Sequence, residues 1–290
     1  MKNYHDIPGD GGSDILRQVA DRKSTIEENL GLIRHLVAIG SGKGGVGKST
    51  LSMQVASAWR AQGMSIAILD ADFNAPAQAC LGGVSDATLI PTRRGVSIPR
   101  TREGIGVLSM GTLIPDREPL DLDAAAPGSS HIWRATKEFT VLAQLLATVE
   151  WGELDVLLVD LPPGTERTIQ YADFFGPQLS FVLVTIPTAL ARGVVARCAS
   201  GLQNAGARTL GYIENMRGYF CAECQTLRPL FPSKDAVPFD LPYLGGIPFD
   251  PKVAELSDSG ESLSSYPDLV CSKAVREIAN RIYQELEERT

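Results

Sequence analysis

The chain has 290 residues, of which 44% are hydrophobic and 21% are charged, the composition of an ordinary globular protein. Its formal net charge of −7 argues against nucleic acid or an anionic membrane surface as a partner, and no apolar run approaches the roughly 20 residues of a membrane span. Five cysteines do not make a disulfide framework in a chain of this length, and the N-terminus lacks the cationic and apolar stretches of a signal peptide, so a cytoplasmic protein with reduced thiols is expected.

Extended and helical patterns alternate along the chain. Residues 1–30 are expected to form a polar tail and a short helix. Short apolar runs bounded by glycine or turn residues predict buried strands at 35–41, 65–72, 104–111, 155–162, 179–187 and 209–216. Apolar residues at helical spacing predict helices at 49–62, 134–149, 189–204 and 271–290.

The order of these elements predicts an α/β fold. Strands separated by helical crossovers form a mostly parallel sheet that is covered by helices on both faces. Two stretches, 84–103 and 217–246, are rich in proline, glycine and charge and are expected to be surface insertions. A single domain over residues 31–290 accommodates all of these elements.

The stretch "GSGKGGVGKST" (40–50) contains the pattern G-x-x-x-x-G-K-[ST] between a predicted strand and a predicted helix. Its glycines let backbone N–H groups converge on phosphate oxygens, and the helix N-terminus adds positive potential. Lys48 is expected to reach the β- and γ-phosphates of ATP, and Ser49 to ligate Mg²⁺. A glycine-rich turn without a ligand is the alternative. The expected nucleotide-binding residues of this P-loop NTPase domain are Gly42, Gly44, Gly45, Val46, Gly47, Lys48, Ser49 and Thr50.

Acidic residues follow two of the predicted strands. Asp160 ends "DVLLVD", and Asp70 and Asp72 end "AILDAD". The carboxyl ends of parallel strands are where open α/β sheets bind ligands. We expect Asp160 to hold the magnesium through water and Asp72 to position the attacking water, although each aspartate alone is also explained by a loop cap.

The loop carries a second lysine, Lys43. The segment "KGGVGKST" resembles the deviant phosphate loop of the ParA/MinD and nitrogenase iron-protein superfamily. By that resemblance, Lys43 reaches the nucleotide of the other subunit and has a catalytic role in a homodimer, as an arginine finger does. A solvated surface lysine is the alternative.

Further motifs narrow the resemblance to the Mrp-type iron–sulfur cluster carrier ATPases. They are "HIWR" (131–134), "WGELDVLLVDLPPGT" (151–165), "IENM" (213–216) with a C-x-x-C downstream, "GGIPFDP" (245–251) and "SDSG" (257–260). The resemblance implies that Asn215 contacts the adenine, that the loop from Pro248 to Asp250 lines the base pocket, and that residues 160–165 form a switch sensitive to the γ-phosphate.

Cys221 and Cys224 form the C-x-x-C pair. Two thiolates at this spacing supply one edge of a metal centre, and a two-fold dimer would bring four thiolates together. The family resemblance implies a bridging [4Fe–4S] cluster. An inter-subunit zinc site and a redox-active dithiol are the alternatives. Cys198 is expected to be a core thiol.

Several positions depart from the family pattern. After the aspartates the family usually reads D-x-Y-G-P-S, whereas this chain has Asn74, Ala75 and Ala77. The family's "DLPPGTGD" is "DLPPGTER" here, so that Glu166 and Arg167 stand where glycine and aspartate are expected. A switch without that glycine is expected to be stiffer. These changes predict slow hydrolysis or a different client.

The sequence therefore predicts an ATPase that carries a [4Fe–4S] cluster across a homodimer and delivers it to a client apoprotein, without nucleic acid or membrane partners. A ParA/MinD-like dimeric switch is the first alternative, although the C-terminal helix is acidic at its end and not basic and amphipathic. An ATP-gated electron donor is the second.

Overall fold

The structure, a computed structural model, describes residues 15–113, 131–221, 223–224, 226–231 and 240–288, without the side chains of 15–19 and 131–136. The expected polar tail and part of the expected insertion at 217–246 lie outside these residues. Within the described part, no helix is long and apolar enough to cross a membrane.

The strands of the described residues are β1 (Ile33–Ser41), β2 (Ile66–Asp70), β3 (Ile90–Pro91), β4 (Val96–Ser97), β5 (Gly106–Leu108), β6 (Leu154–Asp160), β7 (Leu179–Thr185), β8 (Arg208–Cys221), β9 (Thr226–Arg228) and β10 (Tyr243–Phe249). Seven of them form a parallel central sheet in the order β10-β8-β7-β1-β6-β2-β5, and β9 pairs antiparallel with β8. A separate two-stranded hairpin is formed by β3 and β4.

Helices precede, separate and follow the strands. They are α1 (Ile15–Leu30), α2 (Lys48–Ala61), α3 (Gln78–Leu81), α4 (His131–Thr148), α5 (Thr165–Phe175), α6 (Ala189–Asn204), α7 (Pro251–Asp258) and α8 (Val270–Glu287). The described part of the chain also contains short 3₁₀ turns at Met110–Thr112, Gly176–Gln178 and Leu263–Ser265.

Both faces of the sheet are buried, as β1 illustrates. Successive side chains of a strand point to opposite faces. Val37 and Ile39 belong to one hydrophobic cluster, with α2 and α8. Leu36 and Ala38 belong to the other, with α4, α5 and α6. This arrangement confirms the predicted fold class and explains why the strand sequences are continuously apolar.

The structure differs from the expected insertion at 217–246 at both of its ends. β8 does not stop at residue 216 but continues to Cys221, and Tyr243 begins the edge strand β10. The extension of β8 pairs with β9, which satisfies its backbone groups beyond the parallel sheet. The helix α5 was also not expected from the sequence.

Candidate functional site at the carboxyl edge of the sheet

The phosphate loop connects the end of β1 with the start of α2. Gly45 and Gly47 have φ values of 77° and 80°, in the left-handed region that favours glycine. A Cβ at Gly47 would also lie 2.3 Å from Nδ2 of Asn215. Residues other than glycine would be strained at these two positions. The loop leads directly into the N-terminus of α2, which carries a partial positive charge. The remaining predicted loop residues are in the same turn or on the first turn of α2, namely Gly42, Gly44, Val46, Lys48, Ser49 and Thr50.

The centre of the site is the buried carboxylate of Asp160, at the end of β6. Its Oδ1 lies 2.6 Å from Nζ of Lys48 and accepts a hydrogen bond of 3.1 Å from Ser52. Its Oδ2 accepts a hydrogen bond of 2.7 Å from Nε2 of Gln78. Lys48 also donates to Oγ of Ser49, at 3.2 Å. Because an ammonium has three donor hydrogens, Lys48 retains one beyond these two contacts.

Asp70, at the end of β2, is a second buried carboxylate. Its Oδ2 accepts hydrogen bonds from the backbone N–H groups of Ala77 and Gln78, at 2.9 and 3.0 Å, and from Oγ of Ser109, at 2.8 Å. Burial, and then the charge of Asp160, raise the pKa of Asp70 to about 7. Asp70 therefore holds the backbone that follows β2 in place and is not oriented by solvent.

Asp72 lies two residues beyond β2 and is only half-buried. Its Oδ1 accepts a hydrogen bond of 3.3 Å from the backbone N–H of Ala75. Partial burial raises its pKa, whereas the charge of Lys48 lowers it. The carbonyl of the preceding Ala71 accepts a hydrogen bond of 3.0 Å from the buried hydroxyl of Tyr171. This contact fixes the backbone from which the Asp72 side chain extends.

The two lysines of the loop differ in environment. Lys48 is 6% exposed and bound to Asp160, whereas Lys43 is half-buried at the front of the loop. The carbonyl of Lys43 accepts a hydrogen bond of 3.0 Å from Oγ of Ser41. Only Lys48 is therefore part of the buried charge cluster of this chain.

Asn215 joins the loop to the strand β8. Its Nδ2 donates to the carbonyl of Val46, at 2.9 Å, and its Oδ1 accepts from the backbone N–H of Met216, at 3.0 Å. In the β8–β10 register Ile247 pairs with Asn215, so Pro248 lies one residue beyond this pair. Asp250 caps α7 by accepting from the backbone N–H of Lys252, at 2.9 Å. The three residues expected around the base thus share this edge of the sheet.

Cys221 and Cys224 lie on the β8–β9 hairpin, which extends beyond the same edge. Cys221 ends β8 opposite Thr226, and Cys224 is exposed in the turn. The hydroxyl of Thr226, 2.9 Å from Sγ of Cys224, and then the thiol of Cys221, lower the pKa of Cys224 to about 7. No three His, Cys, Asp or Glu side chains of the described residues converge on one metal position. Within the described part of one subunit, the pair supplies two ligands.

The hairpin presents apolar side chains to solvent. Phe220 pairs with Leu227 on the face opposite Cys221, and these two side chains are 38% and 54% exposed. Tyr219 and Phe249, which pair across β8 and β10, are also exposed. The thiol-bearing hairpin and the neighbouring end of β10 therefore expose four large apolar or aromatic side chains.

The other cysteines are separate from this hairpin. Cys198 and Cys271 are buried, and burial raises the pKa of both thiols, that of Cys271 to about 11. Cys80 is exposed at α3.

The unusual Arg167 of the switch has a buried partner. It forms an ion pair with Glu138 of α4 and donates a hydrogen bond of 2.9 Å to Gln170. Oε1 of Glu138 lies 3.4 Å from the hydroxyl of Tyr171. Burial raises the pKa of Glu138, and the charge of Arg167 opposes that rise. The switch is thus tied to α4 and, through Tyr171, to the segment that carries Asp72.

Sequence reasoning missed two groups of residues at this site. Ser52, Gln78 and Ser109 bind the two buried aspartates. Glu138 binds Arg167, and Tyr171 binds Glu138. The only signal for Gln78 was a polar residue in a segment of small and apolar ones. The other contacts join residues that are distant in the sequence.

The chain is similar to a protein family, to two known proteins and to a solved structure. The family model described as ParA, NUBPL iron-transfer P-loop NTPase, matches residues 32–283. The protein named cytosolic Fe-S cluster assembly factor CFD1 from Candida glabrata is 33% identical over 262 residues, which are 86% of this chain and 88% of the relative. The iron-sulfur cluster carrier protein of Methanocaldococcus jannaschii is 32% identical, over 94% of this chain and 92% of the relative. The structure of a nucleotide-binding protein in complex with ADP, from Archaeoglobus fulgidus, has a TM-score of 0.68 and 30% identity, and the match covers 84% of this chain and 93% of that one.

Proposed function

The chain belongs to the ParA family of NUBPL-type iron-transfer P-loop NTPases, and we propose that it is a cytoplasmic ATPase that holds a [4Fe–4S] cluster between two copies of itself and delivers the cluster to an apoprotein. The observation that carries the proposal is the position of the two cysteines. An exposed C-x-x-C hairpin and a phosphate loop lie at the same edge of one sheet, joined by β8.

The residues at the loop fit a magnesium-bound nucleoside triphosphate. Hydroxyl and carboxylate oxygens are hard donors that Mg²⁺ prefers, and Ser49 and Asp160 supply them, with the amide of Gln78 bound to both residues. Oε1 of Gln78 is buried and accepts no hydrogen bond from any residue that the structure describes. Ser49 and Asp160 would hold this metal, which would supply charge neutralisation to the reacting phosphoryl group.

The chain's own residues would perform the remaining steps of hydrolysis. The third donor of Lys48 is available to a phosphate oxygen, in addition to the N-terminus of α2. Asp160 would hold the metal through water, and Asp72, which is only half-buried, would orient the attacking water. The lysine at the front of the loop, Lys43, would act on the nucleotide of the second subunit.

The cluster is cargo in this proposal. One hairpin offers two thiols, and a [4Fe–4S] cluster is held by four. A two-fold axis beside the hairpin would supply the other two from the second copy. The lowered pKa of Cys224 favours the thiolate, which is the form that binds metal. The exposed Phe220 and Leu227 would be covered in such a dimer.

Anaerobic reconstitution with iron and sulfide tests this function. The wild type should bind about four irons per dimer, with the mass of a dimer in light scattering. Cys221→Ser and Cys224→Ser should each lose the iron but retain nucleotide binding. Cys80→Ser, which removes another exposed thiol, is the matched control and should behave as the wild type.

The outcomes separate the alternatives. Full iron content in both serine variants would refute the cluster site. Tightly bound zinc in place of iron would favour a nucleotide-controlled dimeric switch with a structural metal. A cluster that reduces a partner protein but stays on the dimer would favour ATP-gated electron donation, whereas loss of iron from the dimer to an apoprotein supports the carrier.

A further inference from the structure

Gln78 is the most completely buried amide at the nucleotide site. It begins α3, its side chain is 0% exposed, and its own backbone N–H is bound to Asp70. A glutamine in such a position loses its hydration, so each of its polar atoms needs a partner in the folded protein.

The two contacts of Nε2 fix the orientation of this carboxamide. Nε2 donates one hydrogen to the carbonyl of Ser49, at 2.9 Å, and the other to Oδ2 of Asp160, at 2.7 Å. A backbone carbonyl and a carboxylate both accept, so a rotated amide would place oxygen against two oxygens. Oε1 is therefore the atom that points away from Ser49 and Asp160.

Oε1 of Gln78 is the polar atom of this side chain that has no observed hydrogen-bond donor: it is buried, and no residue that the structure describes donates to it. An unsatisfied buried acceptor destabilises a fold, so each one in a native structure needs an explanation, and a water or ion at the site is one. The same carboxamide touches both residues to which we assign the magnesium.

We propose that Gln78 is a positioning residue of the magnesium site: Nε2 orients Asp160 and the Ser49 peptide, and Oε1 accepts a hydrogen bond from a water molecule carried by the metal. This inference rests on the proposed nucleotide function. Mg²⁺ keeps several of its waters in protein sites, and these waters need acceptors around them. Gln78 supplies one without adding a negative charge beside the carboxyl groups of Asp70 and Asp160.

The test is the Mg²⁺ dependence of ADP binding. Gln78→Met keeps the shape of the side chain and removes both polar atoms. A fluorescent ADP is titrated onto the whole protein in EDTA and then at increasing Mg²⁺. The variant should bind ADP normally in EDTA, but its half-saturating Mg²⁺ concentration should rise about tenfold, the usual effect of losing a partner of a metal ligand. Gln78→Asn, which shortens the amide, should give a smaller rise.

Gln54→Met is the matched control. Gln54 is also buried, on α2, and its Oε1 accepts from the backbone N–H of Leu263, at 2.7 Å, away from the phosphate loop. This variant loses a buried amide but should leave the Mg²⁺ dependence unchanged. Titration with Mn²⁺ in place of Mg²⁺, followed by the loss of the free-ion EPR signal, measures the metal affinity of the same site directly.

Two results would overturn the inference. If Gln78→Met binds ADP with the half-saturating Mg²⁺ concentration of the wild type, Gln78 has no role toward the metal, and the nucleotide function stands. If the wild type binds no ADP at any Mg²⁺ concentration, the nucleotide function fails together with the role of Gln78.

Discussion

Asp70→Asn should make the stability of the protein less dependent on pH. Burial raises the pKa of Asp70 from 3.8 to about 7, so the folded protein keeps a proton there that the unfolded chain releases above about pH 4. The contribution of Asp70 to stability is complete below pH 3.8 and is lost as the pH rises to about 7. At about 1.4 kcal/mol per pKa unit, the loss is on the order of 4 kcal/mol.

The substitution removes this loss at little structural cost. An asparagine oxygen can accept the hydrogen bonds that Ala77, Gln78 and Ser109 donate to Oδ2, and only the 3.3 Å contact from the backbone N–H of Asp72 to Oδ1 is given up. The variant should therefore gain stability relative to the wild type between pH 5 and pH 8, by up to about 4 kcal/mol.

Urea unfolding, followed by tryptophan fluorescence in nucleotide-free and magnesium-free buffer, measures this difference at each pH. Asp155→Asn, which removes a carboxylate bound to the backbone N–H of Ser65 at the other end of the sheet, is the control for the loss of one carboxylate. The reasoning is refuted if the free energies of unfolding of Asp70→Asn and the wild type differ by the same amount at pH 5 and at pH 8. That result would show that Asp70 holds no proton in the folded state.

Three further predictions concern the switch and the loop. Arg167→Met leaves the buried Glu138 without its ion-pair partner and should lower the free energy of unfolding by about 3 kcal/mol. Adding Glu138→Gln to the same chain should restore most of this loss, and urea unfolding measures both changes. Gly47→Ala adds a Cβ at positive φ against the side-chain amide of Asn215 and should weaken ADP binding more than tenfold. Gly152→Ala is the control, because a Cβ there meets nothing within 4 Å at a φ of 69°. It carries similar backbone strain, about 1–3 kcal/mol, but should leave ADP binding unchanged. Lys43→Ala should retain ADP binding but lose ATP turnover by about 10³-fold if it acts across the dimer; unchanged turnover would contradict that role.

The sequence predicted the parts of the fold whose signals are local. Continuous apolar runs indicated the central strands because both faces of the sheet are covered, and the glycine-lysine pattern indicated the phosphate loop. The helix α5 was missed although its buried residues, Thr168, Tyr171, Ala172 and Phe175, have helical spacing.

The edge strand β10 was missed because its two glycines resemble a turn. In the structure they reflect close packing. A Cβ at Gly245 would lie 2.7 Å from Ile278 of α8, and one at Gly246 would lie 2.4 Å from Arg217. The contacts of Gln78 were missed for a different reason. They depend on how β6, α2 and α3 meet in space, and Gln78 and Asp160 are 82 residues apart.

The continuation of β8 determines how the two candidate sites are related. Asn215 is bound to the phosphate loop through the carbonyl of Val46, and Cys221 follows six residues later on the same strand, about 20 Å away if the strand is fully extended. One strand therefore leads from the phosphate loop to the thiol pair. Between them, Met216 has a φ of 56°, which is uncommon for a residue other than glycine, and its backbone N–H is held by the side chain of Asn215. A change at the loop that displaces Asn215 would act first on this residue and then on the hairpin that bears the thiols.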